Sequence, residues 1–302
     1  MSTPGSVKVV VIALLGNLGI AVAKSAGAFI TGSAALLAEA IHSFVDTSNQ
    51  VLLLVGHKAS ARPADEEHPM GHGREGFFWS FIVAMLLFSM GGVFAVYEGV
   101  HKLSVREPLT SPAVGLAILL VSLGLEGFSL HACLKEVRAV NAHDGLWTWF
   151  RKASAVELLV VFMEDTAALA GLSLATAALL LSWATGDPRW DAAGSIVVGV
   201  VLIVVAVLLA TEIKSLLIGE APERDYRREV EALVRAEIPG SEILRFIALN
   251  TGAREVLLTY KVTPGEFKDV AALIQAINRL EAGVRARFPE VQWQFVEPDI
   301  EP

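Results

Sequence analysis

The chain has 302 residues, of which 54% are hydrophobic, and it carries a formal net charge of −8 at pH 7. Its mean hydropathy of +0.55 lies above the range of ordinary soluble domains and therefore predicts a membrane protein. The acidic balance argues against a nucleic-acid partner, because phosphate binding needs clustered lysine and arginine. The single cysteine, Cys133, excludes an intramolecular disulfide and a zinc finger built from several cysteines.

Six apolar stretches are long enough to form membrane-spanning helices, since about 20 helical residues cross the roughly 30 Å of hydrocarbon. They are predicted at residues 7–29, 34–56, 77–101, 112–134, 154–183 and 191–213. The first stretch is longer than the apolar part of a signal peptide and has no cleavage context, so we expect it in the mature protein. Lysine and arginine in the short loops favour one side of the membrane, which predicts that both termini are cytoplasmic.

The second predicted helix carries a polar stripe within an otherwise mostly apolar sequence. Its members lie at offsets 0, 3, 4, 7 and 10, which is one face of a helix, and they are Glu39, His42, Ser43, Asp46 and Asn49. An ionisable group near the centre of a bilayer costs at least about 2.5–3.5 kcal/mol, so these side chains should face protein, water or an ion. His42 and Asp46, one turn apart, therefore predict a metal site.

The fourth and fifth predicted helices also carry acidic residues. Those of the fifth helix are Glu157, Glu164 and Asp165, and the fourth helix adds Glu126 in a stripe with two serines. We expect the second and fifth helices to bring their polar groups together, because a cation among them lowers the cost of burying each one. Two interpretations stay open for four of the polar side chains. They line a path for ions or protons, or they are buried and hydrogen-bonded to one another or to neighbouring side chains. The four are Glu39, Asn49, Glu126 and Glu157.

The segment between the second and third predicted helices combines the composition of a loop with that of an ion-binding sequence. It contains Pro63-Ala64-Asp65 and, shortly afterwards, His68-Pro69-Met70-Gly71-His72-Gly73-Arg74. Its proline and glycine residues indicate a loop, and its acidic and histidine residues suit a metal ion. A solvated acidic loop without a metal is the alternative interpretation.

Near Pro222 the composition changes to the charged, amphipathic pattern of a soluble domain. The predicted elements are a helix at 223–237, strands at 243–249 and 255–262 with a turn at 251–253, a helix at 267–288 and a strand at 291–296. This αββαβ order predicts a small α+β domain with its helices on one face of a sheet. We therefore divide the chain into a membrane domain, 1–215, and a C-terminal domain, 216–302. No GxxxxGK[ST], HExxH or GxSxG motif occurs, so neither an ATP-driven pump nor an enzyme is predicted.

Together these motifs resemble the cation diffusion facilitator family of divalent-metal transporters. The resemblance rests on Gly32-Ser33, the run Ala38–Asp46, the PAD and HPMGHGR sequences of the loop, and the acidic fifth helix. It covers nearly the whole chain and implies an α-helical membrane protein, with six transmembrane helices followed by a cytoplasmic α+β ferredoxin-like (αββαβ) domain. It also implies a homodimer formed through the C-terminal domain, in a lipid bilayer that we expect to be the bacterial inner (plasma) membrane.

Members of this family export Zn²⁺, and sometimes Mn²⁺, Fe²⁺ or Co²⁺, from the cytoplasm in exchange for protons, without a cofactor. Their transport site takes two ligands from helix two and two from helix five, each pair one turn apart. The resemblance therefore assigns His42, Asp46 and Asp165 as ligands, whereas the fourth position is Val161, which cannot bind a metal. Three alternatives remain for the fourth ligand. Glu164 beside Asp165 supplies it, a water molecule supplies it, or the ion has no fourth ligand. One imidazole with several carboxylates suits Zn²⁺ and also harder ions such as Mn²⁺ or Fe²⁺.

The resemblance implies a second metal site in the loop, with the ligands Glu67, His68 and His72. It also implies that Arg74 joins a charge interlock at the membrane surface, for which Glu220 is the candidate partner. A zinc cluster of the family's C-terminal kind depends on histidine, and no histidine follows His143, so we predict that this domain mainly dimerises. A passive cation channel lined by carboxylates is the main rival function.

Overall fold

The computed structural model describes residues 4–31, 34–105, 112–140, 149–150, 156–253 and 255–301. Within these ranges the chain divides into two compact units. One is helical and contains the residues up to 58 and residues 76–214, whereas the other combines Ala59–Glu75 with the chain from Ser215 onward. The histidine-rich loop is therefore grouped with the C-terminal region, although the sequence prediction places it in the membrane domain.

The helical unit is built from long helices. Five are α1 (Pro4–Thr31), α2 (Ala34–Ser60), α4 (Pro112–Val140), α5 (Val156–Thr185) and α6 (Arg189–Ile218). Between α2 and α4, α3 occupies residues 75–105 and consists of Glu75–Leu86, a π-helical stretch at Leu87–Val93, and Phe94–Val105. In the described part of the chain, four helical segments are long and apolar enough to cross a membrane, namely Glu75–Ser104, Pro112–Ala139, Val156–Thr185 and Arg189–Ile218. The full six-span topology stays a prediction.

The polar stripe of α4 faces the interior of the helical unit. α4 packs against α5, and α1 contacts both of them. Glu126 and its neighbouring serines are buried, whereas Val121 and Phe128 on the same helix are more than half exposed. Apolar side chains thus point outward and polar ones inward, which is the arrangement that the cost of polar groups in a bilayer favours.

α3 and α6 approach each other closely at glycine residues. A Cβ atom built at Gly92 would lie 3.2 Å from the carbonyl oxygen of Gly199 and 3.1 Å from the amide nitrogen of Ile203. A Cβ atom at Gly199 would lie 2.8 Å from the carbonyl oxygen of Gly92. Small residues permit such backbone contact between membrane helices, which associate mainly through van der Waals packing. The neighbour of α3 at Gly92 is therefore α6.

The C-terminal unit contains a three-stranded sheet and two helices. Its elements are α7 (Tyr226–Glu237), β1 (Ile243–Gly252), β2 (Glu255–Val262), α8 (Val270–Arg287) and β3 (Val291–Pro298). The strand order is β1-β2-β3, with β1 and β2 antiparallel and β2 and β3 parallel, so α8 is the crossover helix. The predicted αββαβ order is confirmed.

Alternation along β2 directs one face of the sheet toward the helices. Leu258, Tyr260 and Val262 are buried, whereas the residues between them are only half-buried. The core that they join contains Val230 and Val234 from α7 with Leu280 and Val284 from α8. The opposite face has no such cover among the described residues, and Ile247 and Phe295 are exposed there.

Element boundaries differ from the sequence prediction for local reasons. The sequence predicts a helix from residue 267, but α8 begins at Val270, because the Asp269 carboxylate accepts a hydrogen bond from the Ala272 amide at 3.0 Å. The sequence predicts a helix from residue 223, but α7 begins after Asp225. β1 is longer than predicted, because its pairing with β2 continues to Gly252.

We expect Gly199→Ala to lower the melting temperature of the detergent-solubilised protein. The new Cβ atom would press on the Gly92 carbonyl, and overpacking costs about 1–3 kcal/mol, which outweighs a helix-propensity gain of about 1 kcal/mol. Gly124→Ala is the matched control, because no atom of the described residues lies within 4 Å of a Cβ atom built there, and it should leave the melting temperature unchanged or raise it. Equal melting curves for Gly199→Ala and the parent would contradict the packing of α3 on α6.

Candidate metal sites

Hydrogen bonds join α2 to α5 inside the helical unit. The Glu164 carboxylate accepts one from the Gln50 side-chain amide at 2.7 Å and a longer one from the Asn49 amide at 3.4 Å. All three side chains are buried, and Gln50 is completely so. A buried polar group without a hydrogen-bond partner costs free energy, so a shift of α2 along α5 that broke these bonds would be unfavourable. The hydrogen bonds therefore fix where the polar faces of the two helices meet.

Other acidic side chains surround Glu164. Asp46 of α2, Glu126 of α4 and the adjacent Asp165 lie close enough for their charges to act on it. Asp165 is 1% exposed, and its Oδ2 atom has no hydrogen-bond donor among the residues that the structure describes. Carboxyl groups from three helices are therefore collected in one region, which is unfavourable unless protons or a cation compensate them.

The structure brings together part of the predicted transport site. Asp46, Glu164 and Asp165 all belong to this region, whereas the side chains of Glu39 and His42 lie outside the described residues. Val161, one turn before Asp165, is completely buried. α5 therefore presents a carboxylate toward α2 from position 164 rather than from position 161.

A second polar contact between α2 and α5 lies two helical turns from Glu164. The buried carboxylate of Glu157 is 3.8 Å from Nδ1 of His57. Asn49 and Glu157 thus have partners, as the hydrogen-bonded interpretation of these side chains expects. Sequence analysis missed His57 and Gln50, although they follow Asp46 by 11 and 4 residues and so continue the polar face of α2.

Asp65, His68 and His72 form a compact group in the loop Ala59–Glu75. Each offers one potential ligand atom, and these atoms all lie within 4.8 Å of one another. One Asp65 oxygen is 2.9 Å from Nε2 of His72, and the other is 3.4 Å from Nδ1 of His68. The hydrogen bond from His72, followed by one from the His68 main-chain amide, lowers the pKa of Asp65 to about 2.

Local backbone geometry brings the two histidines together. The amide of His68 donates to the Asp65 carboxylate at 2.6 Å, and the amide of Gly71 donates to the His68 carbonyl oxygen at 2.9 Å. Gly71 has a φ of +80°, in the left-handed region that favours glycine, and after this turn the imidazole rings lie 4.3 Å apart. The predicted ligands His68 and His72 therefore meet, whereas the predicted Glu67 is exposed and outside the group, where Asp65 is found instead.

The end of this loop packs on the hairpin formed by β1 and β2. A Cβ atom at Gly73 would lie 2.7 Å from the carbonyl oxygen of Thr251 and would overlap the Glu255 carboxylate. Burial raises the pKa of Glu255. Arg62 and Glu75 form an ion pair at 2.9 Å that links the two ends of the loop.

The predicted ion pair between Arg74 and Glu220 does not form within the described parts of the chain. The Arg74 side chain is exposed, and the main-chain carbonyl of Glu220 accepts a hydrogen bond from the Asn250 amide at 3.0 Å. An exposed ion pair contributes only about 0–1 kcal/mol to the free energy of unfolding, so the protein loses little stability without it.

Comparison with known proteins relates this architecture to metal transporters. A family model described as the cation efflux transmembrane domain matches residues 10–218. Metal tolerance protein C4 of Arabidopsis thaliana is 34% identical over 63% of this chain and 42% of its own length. The mitochondrial proton-coupled zinc antiporter SLC30A9 of Xenopus laevis is 33% identical over 78% of this chain and 42% of its own length. The cation-efflux pump FieF of Klebsiella pneumoniae (strain 342) is 27% identical over 86% of this chain and 81% of its own length.

The chain spans only 42% of the length of the plant and frog relatives. The match to the family model, by contrast, covers more than half of this chain and includes every acidic side chain of the α2–α4–α5 group. The family consists of transporters rather than enzymes. The protein therefore belongs to the cation diffusion facilitator family.

Proposed function

We propose that the protein is a secondary-active exporter of a divalent transition metal, most readily Zn²⁺, which leaves the cytoplasm in exchange for protons by alternating access. The observation that carries the proposal is a group of carboxylates shared by α2, α4 and α5, in which Glu126, Glu164 and Asp165 are buried and Asp46 is half-buried. A divalent cation would compensate these charges where little water is present. The SLC30A9 relative is named a proton-coupled zinc antiporter, which supports both the ion and the exchange.

Competition between the metal and protons accounts for the exchange. A carboxylate binds a metal only when ionised, and an imidazole only when neutral, so metal loading releases protons and proton binding expels the metal. When the metal has left, protons satisfy the same oxygen atoms. The cycle then requires α2 and α5 to separate first on one side of the membrane and then on the other.

We assign the transport ligands to His42, Asp46 and Asp165, with Glu164 in place of the residue missing at Val161. Two amide donors occupy only part of the acceptor capacity of the Glu164 carboxylate, which has about four lone-pair sites. It therefore keeps capacity to bind an ion. Nitrogen and carboxylate donors suit tetrahedral Zn²⁺, and the same set supports the alternative of a Mn²⁺, Fe²⁺ or Co²⁺ exporter.

For the loop we propose a second divalent-metal site formed by Asp65, His68 and His72. Ligands of a tetrahedral Zn²⁺ ion lie about 3.3 Å apart, given metal–ligand distances near 2.0–2.1 Å, so the present spacing of up to 4.8 Å needs only a small contraction. Asp65 is ionised at neutral pH because of its lowered pKa. The loop therefore holds a negative charge between two imidazoles before any metal arrives.

The remaining proposals concern topology and assembly. We place all six long helices in the bilayer of a bacterial inner membrane, with both termini in the cytoplasm. The open face of the C-terminal sheet, where Ile247 and Phe295 are 41% and 58% exposed, is suited to contact with a second copy of the chain. This supports a homodimer formed through the C-terminal domain.

Asp46→Asn and Asp165→Asn should each reduce zinc transport in proteoliposomes to background, because an amide cannot supply the negative charge that holds the ion. Glu98→Gln is the matched control, since Glu98 lies on α3 and outside the acidic group. The parent should accumulate Zn²⁺ against its gradient when an opposing pH gradient is imposed. Flux that only equilibrates the two sides would indicate a passive channel, and competition by Mn²⁺, Fe²⁺, Co²⁺ and Cd²⁺ would rank the ions.

Glu164→Gln tests the replacement of the missing ligand. The variant keeps the size of the side chain but loses its charge, so we expect the zinc KM to rise while the protein stays folded. The measurement is zinc uptake over a range of zinc concentrations. Parent-like uptake by Glu164→Gln, alongside an inactive Asp165→Asn, would remove Glu164 from the ligand set.

Asp65→Asn should weaken zinc binding to the loop, whereas Glu67→Gln should leave it unchanged. Equilibrium zinc titration of the solubilised protein measures this, with the loop signal identified by its loss in His72→Ala. Because the pKa of Asp65 is about 2, it stays ionised in mildly acidic buffer, so zinc release there would report protonation of the histidines. Weaker zinc binding by Glu67→Gln together with normal zinc binding by Asp65→Asn would contradict this assignment. It would support Glu67, His68 and His72, the ligands that the family resemblance implies.

A further inference from the structure

Gln50 is a buried polar side chain that the transport chemistry does not use. It is 0% exposed, lies one helical turn after Asp46 on α2, and donates the 2.7 Å hydrogen bond to Glu164. A buried amide is costly in an apolar setting unless its hydrogen bonds are satisfied. Its presence among membrane helices therefore calls for a role.

The geometry of Glu164 indicates that role. Its two oxygen atoms accept separately from Gln50 and from Asn49, so the carboxylate is tied to α2 although it belongs to α5. The position one turn before Asp165, where α5 would otherwise offer a ligand, is the buried Val161. A glutamate has several rotatable bonds, and two donors from the facing helix select one orientation among them.

We propose that Gln50, assisted by Asn49, is a positioning residue that holds Glu164 toward α2 and so supplies the metal-binding group missing at Val161. This inference rests on the proposed function, because it assumes that Glu164 contacts the transported ion.

An amide is well suited to this task because it is neutral. A lysine or arginine in the place of Gln50 would also hold the carboxylate, but its charge would compete with the metal ion for Glu164. The amide leaves the full negative charge available. Partners of this kind around metal ligands fix the orientation of the ligand and contribute to affinity.

The carbonyl oxygen atoms of the two side-chain amides indicate that a polar group binds beside them. Oδ1 of Asn49 and Oε1 of Gln50 are buried and accept no hydrogen bond from the described residues, and the same holds for Oδ2 of Asp165. Buried acceptors of this kind are normally satisfied by protein or by ordered water. A metal ion that carries one or more water molecules would provide the missing donors.

The test is zinc titration of the full-length solubilised chain in a His68→Ala/His72→Ala background, which removes the loop site. Gln50→Leu keeps the approximate volume but removes the donor, and it should weaken zinc binding by about 10- to 100-fold. Gln294→Leu is the matched control, since Gln294 is also buried and donates a 2.7 Å hydrogen bond, to Tyr260 in the C-terminal unit. It should lower thermal stability without changing zinc affinity.

A charge-swapped pair separates positioning from a purely structural role. Gln50→Glu combined with Glu164→Gln can re-form the hydrogen bond with the carboxylate on α2, so thermal stability should recover. Zinc affinity should stay low, because position 164 of α5 no longer carries a carboxylate beside Asp165. Recovery of both properties, or parent-like zinc affinity in Gln50→Leu, would overturn the inference.

The proposed function is tested separately by proton-driven zinc uptake of the parent. If the parent transports zinc and Gln50→Leu binds zinc normally, only the role of Gln50 fails. If the parent shows no exchange but Gln50→Leu still weakens binding, the positioning role stands and the transport proposal fails. In active proteoliposomes, Gln50→Leu should raise the zinc KM more than it lowers kcat.

Discussion

The gathering of several carboxylates from three helices is the constraint on which the helical unit depends. Glu126, Glu164 and Asp165 are buried close to the half-buried Asp46, and the described hydrogen bonds to Glu164 come from neutral amides. Like charges in such a place repel one another and lose their hydration, so the group is costly when all of its members are ionised. A divalent ion or protons would relieve this cost, and the proposed exchange follows from competition between the two.

The helices differ in the contacts that hold them together. α3 and α6 meet through glycine backbones, where the distance is set by atoms that have no alternative rotamer. α2 and α5 meet through polar side chains, by a hydrogen bond at Glu164 and by the contact between His57 and Glu157. Side-chain bonds can exchange partners or take up water as helices move, whereas a close backbone contact cannot change without a shift of the whole helix. The proposed transport ligands thus lie on the pair of helices whose contacts are easier to rearrange.

Much of this arrangement follows from periodicity in the sequence. The polar face of α2 and the acidic residues of α5 predict that these two helices pack together, because polar side chains on a membrane helix are unfavourable against lipid. Gln50 and His57 extend the same face. They are harder to predict from the sequence, because an amide and a histidine near the helix end indicate a buried polar contact less clearly than charged residues do. Asp65 is harder to assign, because its contact with His72 depends on a turn at Gly71 and on a main-chain amide. Nothing in the residue spacing separates it from the neighbouring Glu67. Helix starts were misjudged where an aspartate precedes the first turn, as at Asp269.

The assignment of Ala59–Glu75 to the C-terminal unit has a mechanical consequence. In the described part of the chain, the polypeptide passes between the two units at residues 58–59, 75–76 and 214–215. Within the C-terminal unit, the ion pair between Arg62 and Glu75 closes the two ends of this segment, and Gly73 packs on the hairpin of β1 and β2. The segment therefore cannot open without losing contacts to the sheet that it borders.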